Sequence, residues 1–327
     1  MRATLLAALV LIIAIAVAGC GTKRQTGICG DLQLDPTEQG DADALEAEGD
    51  AAWNERSDPA RIRAAVTAWT KALRVDPKRA RVRVKLSRGR YFLADGFLRE
   101  DDDKEEEMIA SFNQGTNDAE IGLVQLAGGY RDDFCAEKPY AEAIAKAGKE
   151  AVPAMYWYAS NLGKWGLAKG IFTILKYKDN IKSLMERVQA LDDTYFYYAP
   201  YRYFGVFYTK IPFPGGDLPK SKENFEKSIA GAPQYLATKV LYASTYATKT
   251  KDRALFKRLL DEVMAFPLDD APELAPENTI EKNKAALLLE DIDTYFDAPE
   301  GDDADAAPAA APAPAAEATP AAEAVPA

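Results

Sequence analysis

The side chains best supplied for chemistry in this sequence are carboxylates, because it contains 0 histidines. Without imidazole there is no usual general base near neutral pH, no Ser-His-Asp triad and no member of the commonest class of metal ligand. Paired acids can cleave glycosides when one is kept protonated in a dry pocket beside an ionised neighbour. The acidic runs here are "EDDDKEEE" at 100–107 and "LDDAPE" at 268–273. Their charges are contiguous and set among polar residues, so they read as solvated faces or loops. The segment "PGGDLP" at 214–219 has two glycines but no lysine and no strand–helix context, and it reads as a tight turn rather than a phosphate cradle. No residue is therefore assigned a catalytic, metal-binding or cofactor-binding role, and the sequence is not read as an enzyme.

The 3 cysteines hold the remaining reactive chemistry. Arg2 precedes an apolar run from Ala3 to Val17, and Val17-Ala18-Gly19-Cys20 has the layout of a bacterial lipobox. Cleavage before Cys20 and acylation of that residue, with palmitate-like chains, would anchor the protein on the periplasmic side of a membrane. Gly21 and Thr22 lack the aspartate that commonly retains lipoproteins at the inner membrane, which favours the outer one. Cys29 and Cys135 form an even remainder in an oxidising compartment, suited to a disulfide unless the two thiols face apart. The formal net charge is -11, which offers no basic face for nucleic acid.

Aromatic residues crowd two stretches. Tyr156, Trp157, Tyr158 and Trp165 fall on one expected helix, and Tyr195, Phe196, Tyr197, Tyr198, Tyr201, Tyr203, Phe204, Phe207 and Tyr208 flank Pro200. A buried tyrosine hydroxyl needs a partner, so tyrosine-rich helices suit a wet apolar cleft, a pore lining or a protein interface. Filling gaps in an irregular helical array is the competing reading. The candidate ligand or partner surface is Tyr156, Trp157, Tyr158, Trp165, Tyr198, Tyr201, Tyr203, Phe204 and Tyr208. A ligand role there calls for a cavity reaching past Tyr156, Trp157 or Tyr203.

The elements that must position these residues are helices. Apolar residues recur at i, i+3, i+4 and i+7 through the body, and alternating β-branched runs are few. The fold class is all-α, a divergent tetratricopeptide-like helical repeat array (an α-solenoid). Ala65, Trp69, Ala72 and Pro77 carry the spacing of that repeat's second helix, with Leu45, Gly49 and Trp53 in the first. Ser221, Phe225, Ser228 and Pro233 repeat the spacing after a helix at 201–209, and Met108, Phe112 and Gly115 make a fainter copy. Further helices are expected at 151–163 with 181–191, at 235–247 with 255–266, and at 281–296. The last follows "FPLDDAPELAPENT", whose prolines lengthen the connection, so this helix can pack across the array. The chain divides into a signal peptide (1–19), a lipidated linker (20–42), the helical domain (43–297) and a tail (298–327). That tail is Ala, Pro and acid with six acidic residues and no base, a composition for disorder.

The runs "MYWYASNLGKWG" and "GIFTILKYKDNIKSLMERVQALDDTYFYYAPYRYFGVFYTKIPFPGGDLPKSKENFEKSIAGAPQYLATKVLYASTYA" resemble the T-component lipoproteins of TRAP (tripartite ATP-independent periplasmic) transporters. The likeness spans about Asp43 to Phe266. It is most specific at Trp157 to Trp165, Leu184-Met185-Glu186-Arg187 with Leu191-Asp192, Gly215-Gly216-Asp217 and Phe225-Glu226-Lys227. The resemblance implies a helical periplasmic lipoprotein that associates with a TRAP solute-binding protein. It also implies homotrimers with an internal pore or cleft, and uptake of a small hydrophobic organic ligand. It carries no binding residue onto this chain. A tetratricopeptide-type scaffold for envelope assembly, with no small-molecule ligand, is the alternative.

Overall fold

A computed structural model describes residues 26–212 and 215–296, and the expectations for the signal peptide, Cys20 and the 298–327 tail lie outside the described residues. Every regular element among the described residues is helical. The chain begins with α1 (Ala42–Asn54), α2 (Pro59–Val75) and α3 (Ala80–Leu93), and a π-helical turn at Ala94–Leu98 extends α3. Next come α4 (Glu105–Leu126), two short helices α5 (Tyr130–Cys135) and α6 (Tyr140–Ala145), then α7 (Val152–Ala168) and α8 (Ile171–Leu191). The C-terminal part holds α9 (Tyr195–Lys210), α10 (Leu218–Gly231), α11 (Ala237–Leu241), α12 (Thr248–Thr250), α13 (Arg253–Ala265), α14 (Ala275–Glu290) and α15 (Ile292–Tyr295). A second π-helical segment, Tyr242–Ala247, joins α11 to α12.

Local chemistry fixes several of the boundaries. Asp41, Asp58, Asp217 and Asp252 each accept from backbone N–H groups in the first turn of α1, α2, α10 and α13, and proline follows at the start of α2 and α10. Pro276 also sits in a first turn. It opens α14 at Ala275 rather than breaking a helix, so α14 starts six residues earlier than expected. The segment at 268–274 is two 3-10 turns, and α8 likewise begins at Ile171, well before 181.

Neighbouring helices pack in chain order, α1 on α2, α2 on α3, α3 on α4, α4 on α7, α7 on α8, α8 on α9 and α9 on α10. Two of these pairs share one contact. A Cβ on Gly49 would lie 2.4 Å from the Trp69 ring, and one on Gly205 2.7 Å from the Phe225 ring, so each aromatic lies directly against a helix backbone. Each aromatic follows its glycine by 20 residues. The rings are 2% and 0% exposed, and burial of each contributes about 2–3 kcal/mol. The fainter copy differs, for Gly115 of α4 faces Asn161 of α7. That buried asparagine donates to Ser87 Oγ at 3.0 Å, and Ser87 donates to Gly115 O at 2.7 Å, a polar knot tying α3, α4 and α7.

The largest apolar cluster runs through α4, α7, α8 and the first part of α9, and another joins α10, α11, α13 and α14. The Sγ atoms of Cys29 and Cys135 are 2.06 Å apart, a disulfide that ties the N-terminal arm to α5. Arg131 holds the same arm by donating to Ile28 O and Gly30 O.

Candidate functional site

The second aromatic stretch does not enter its helix smoothly. Phe196, Tyr197 and Tyr198 have φ of 46°, 59° and 57°, three consecutive left-handed residues without a glycine among them. Each such residue costs roughly 1–2 kcal/mol relative to the right-handed helix, so the surroundings must hold the turn in place. Backbone strain of this kind concentrates at ligand clamps and switches.

Two groups hold it. Phe196 is packed among Tyr156 (5.4 Å between centroids), Trp157 (5.0 Å) and Tyr235 (5.6 Å), and Tyr197 stacks on Tyr235 at 4.9 Å with the planes 5° apart. Arg202, only 5% exposed, donates to Tyr197 O at 3.1 Å and to Phe196 O at 3.4 Å, occupying carbonyls that the left-handed turn removes from the helical ladder. Its guanidinium lies 4.5 Å from the Tyr235 ring centre and 3.4 Å from the Tyr156 hydroxyl. No carboxylate among the described residues pairs with it. Burial pushes the hydroxyls of Tyr91, Tyr195 and Tyr235 above the usual phenolic range, so they stay neutral.

A second arginine joins this cluster to the N-terminal helices. The Arg88 guanidinium stands 4.9 Å from the Trp53 ring centre, 5.2 Å from Phe196 and 5.8 Å from Trp157, and it donates to Glu277 at 3.1 Å. Glu277 belongs to α14 and also receives Arg56 at 2.9 Å and 3.1 Å. Two turns further along, Lys284 reaches Asp95 of the first π turn at 3.0 Å, where Lys164 of α7 and Arg99 also converge. Burial would raise Asp95, but Lys164, Lys284 and Arg99 together hold it far below the usual carboxylate range. Burial brings Lys164 down to about 8 against the pull of the same carboxylate. Ile280 sits on Gly96, whose Cβ would lie 2.5 Å from its side chain. Thus α14 reaches back to α3 and to the residues after α1, through Ile280 and through long charged side chains.

The expected surface residues do not form one surface. Tyr156 and Trp157 belong to the Phe196 cluster. Tyr158 points elsewhere and donates to Glu120 at 2.9 Å, and Trp165 lies against Tyr177 of α8 at 5.9 Å. Tyr198 rests on Gly231, while Tyr201 donates to Asp193 at 2.7 Å with Lys227 over its ring at 4.2 Å. Tyr203, Phe204 and Tyr208 form a separate group along α9, with the Phe204 ring 5.1 Å from Tyr203 and 6.0 Å from Tyr208. The rings around Phe196 pack on one another. Two shallow depressions among the described residues lie elsewhere, about 230 Å³ bordered by Arg74, Arg83 and Asp118, and about 220 Å³ bordered by Tyr242 and Arg258. Among the described residues no group of His, Cys, Asp and Glu is placed to hold a metal, and no helix is long and apolar enough to cross a membrane.

Sequence reading missed Trp53, Arg88, Tyr91, Arg202 and Tyr235 as members of the cluster. Arg202 alone left a local signal, as the single base inside "YYAPYRYFGVFY". The others arrive from α1, α3 and the turn before α11.

Comparison with protein families gives a match over more than half of the chain. The family model described as TRAP transporter T-component covers residues 112–296. The match leaves out α1–α3 and runs on through α14 and α15, later at both ends than the likeness read from the sequence. No curated protein matches the chain.

Proposed function

Since the chain belongs to the TRAP transporter T-component family, we propose that it is the periplasmic accessory subunit of a TRAP-type uptake system. It is tethered to the outer membrane through acylated Cys20 and holds the solute-binding protein near the bilayer. In the same reading the helical body is a tetratricopeptide-like array that assembles as a homotrimer and has no catalytic role. Family membership is the observation that carries the transport role.

Because the rings beside Tyr156 and Trp157 pack on one another, the ligand half requires the Phe196–Tyr198 turn to part and open a cavity there. A small hydrophobic organic molecule would replace ring contacts around Phe196, and release of the left-handed strain would offset part of the cost of parting those rings. The competing reading, an envelope scaffold without a ligand, is favoured by the way the rings fill the space between α3, α7 and α9.

The test is purification of the full-length acylated protein from its own host's membranes, with mass spectrometry of what accompanies it. Recovery of a TRAP solute-binding protein is expected, together with an apolar small molecule that is lost from Phe196→Ser. Recovery of envelope-assembly proteins alone would overturn the transport role. A small molecule retained unchanged by Phe196→Ser would remove the turn from ligand binding.

A further inference from the structure

The hairpin tip between α7 and α8 is the most apolar exposed surface on the described body. Leu167, Ile171 and Phe172 are 47%, 59% and 61% exposed, and three of the five most exposed large apolar residues are these neighbours. Gly170, with φ of 102°, makes the sharp reversal that turns Ile171 and Phe172 outward at the start of α8. Leu175 is half-buried and lies one helical turn behind them, outside the main core cluster.

The charge around this tip is opposite to that of the chain. Between residues 164 and 182 there are five lysines and one acid, Asp179, whereas the whole sequence has 40 basic against 51 acidic residues. Lys164 is turned inward to Asp95. Lys169 stands beside the apolar residues on the turn itself, exposed and without an ion pair among the described residues. Lys178 and Lys182 continue the face of Ile171 and Leu175 at intervals of three and four residues, and their partners Asp179 and Glu186 are exposed surface acids. The order along the helix is therefore apolar tip first, then lysines.

Two occupants fit an apolar surface in general, a protein or a lipid bilayer. Protein interfaces are depleted in lysine and favour arginine among cations, and the only bases in this segment are lysines. Long lysine stems can lie along acyl chains while the ammonium stays among headgroups. A protruding turn with aromatic and aliphatic residues ahead of a lysine collar has the layout of a bilayer-surface contact. We propose that the α7–α8 tip docks on an anionic phospholipid surface, inserting Leu167, Ile171 and Phe172 below the headgroups with Lys169, Lys178 and Lys182 against phosphate. This contact is independent of the Cys20 anchor and of the transport reading. It fixes how the body lies on the membrane, because the disulfide-held arm and the tip then act as two separate attachments.

Vesicle sedimentation tests it, using the chain from Gly21 to Ala327, which has no acyl group and keeps every described residue. Vesicles of equal phosphatidylglycerol and phosphatidylcholine should pull the protein down, and phosphatidylcholine alone should do so at least about fivefold less well. Ile171→Ser with Phe172→Ser should weaken binding more than about tenfold. Lys169→Ala should weaken it about fivefold, and raising salt should act in the same direction. Because these side chains are exposed, circular dichroism and the melting curve of each variant should match the parent. Failure of the parent to bind the anionic vesicles overturns the proposal. Equal binding by parent and double variant also overturns it, and if that variant instead loses capture of the solute-binding protein, the tip is a protein contact.

Discussion

Asp95→Asn removes the carboxylate on which three helical segments converge. The side chain is 12% exposed, and its cationic neighbours are Lys164 at 23%, Lys284 at 17% and Arg99 at 49%. Breaking a buried ion pair by deleting one partner costs about 3–5 kcal/mol, because the charge left behind is desolvated and unpaired. Two features reduce the loss here. Arg99 is half in water, and Lys284 keeps Glu281 at 2.9 Å, so the charge stranded in full is that of Lys164, and about 2–4 kcal/mol is expected. The assay is urea unfolding at pH 7, in which the midpoint should fall while the slope stays constant. The pH dependence has a defined sign. Asp95 is held far below its unfolded value of about 3.9, so its contribution is complete above that value and is lost as pH falls toward the folded one. The Asp95 contribution to the gap between parent and variant should therefore shrink below about pH 4. A double-variant cycle with Lys284→Met should show coupling of about 0.5–3 kcal/mol. A loss under about 0.5 kcal/mol at pH 7, or a gap that does not shrink in acid, would refute the buried-hub account.

At Phe196, glycine should be tolerated better than alanine, reversing the usual helical order by about 1 kcal/mol, since only glycine adopts the left-handed backbone without cost; chemical denaturation of the two variants decides it. Gly49→Ala and Gly205→Ala should each destabilise by about 1–3 kcal/mol, because the added Cβ meets the Trp69 or Phe225 ring head on; equal stability to the parent would mean that the helices part freely there. Reducing Cys29–Cys135, which closes a separation of 106 residues, should cost about 2–5 kcal/mol, read as a lower melting temperature in the presence of reductant.

Most of the helical framework was legible in the sequence because each helix presents its own apolar face, and the face needs no distant partner to be recognised. Trp69 and Phe225 could be singled out by their spacing from small residues and a following proline, which is equally local. The left-handed turn was not legible. Phe196, Tyr197 and Tyr198 have no intrinsic preference for positive φ, and what holds them there comes from Arg202, Tyr235, Trp157 and Arg88, partners as far as 108 residues away in the chain. Which aromatic residues pack together was not legible for a related reason. Helical spacing says that Tyr156, Trp157 and Tyr158 point in different directions, but it does not say which direction meets another ring and which meets Glu120. The start of α14 was misplaced because Pro276 interrupts a helix only when it lies inside one; in a first turn its missing N–H has no partner to lose.

The bridge between α14 and the N-terminal helices has a mechanical consequence. Arg56, Arg88 and Lys284 cross the seam on long side chains. Parting it would separate Glu277 and Asp95, only 8% and 12% exposed, from their cations and lift Ile280 off Gly96, so the joint opens at the cost of breaking buried ion pairs rather than surface ones.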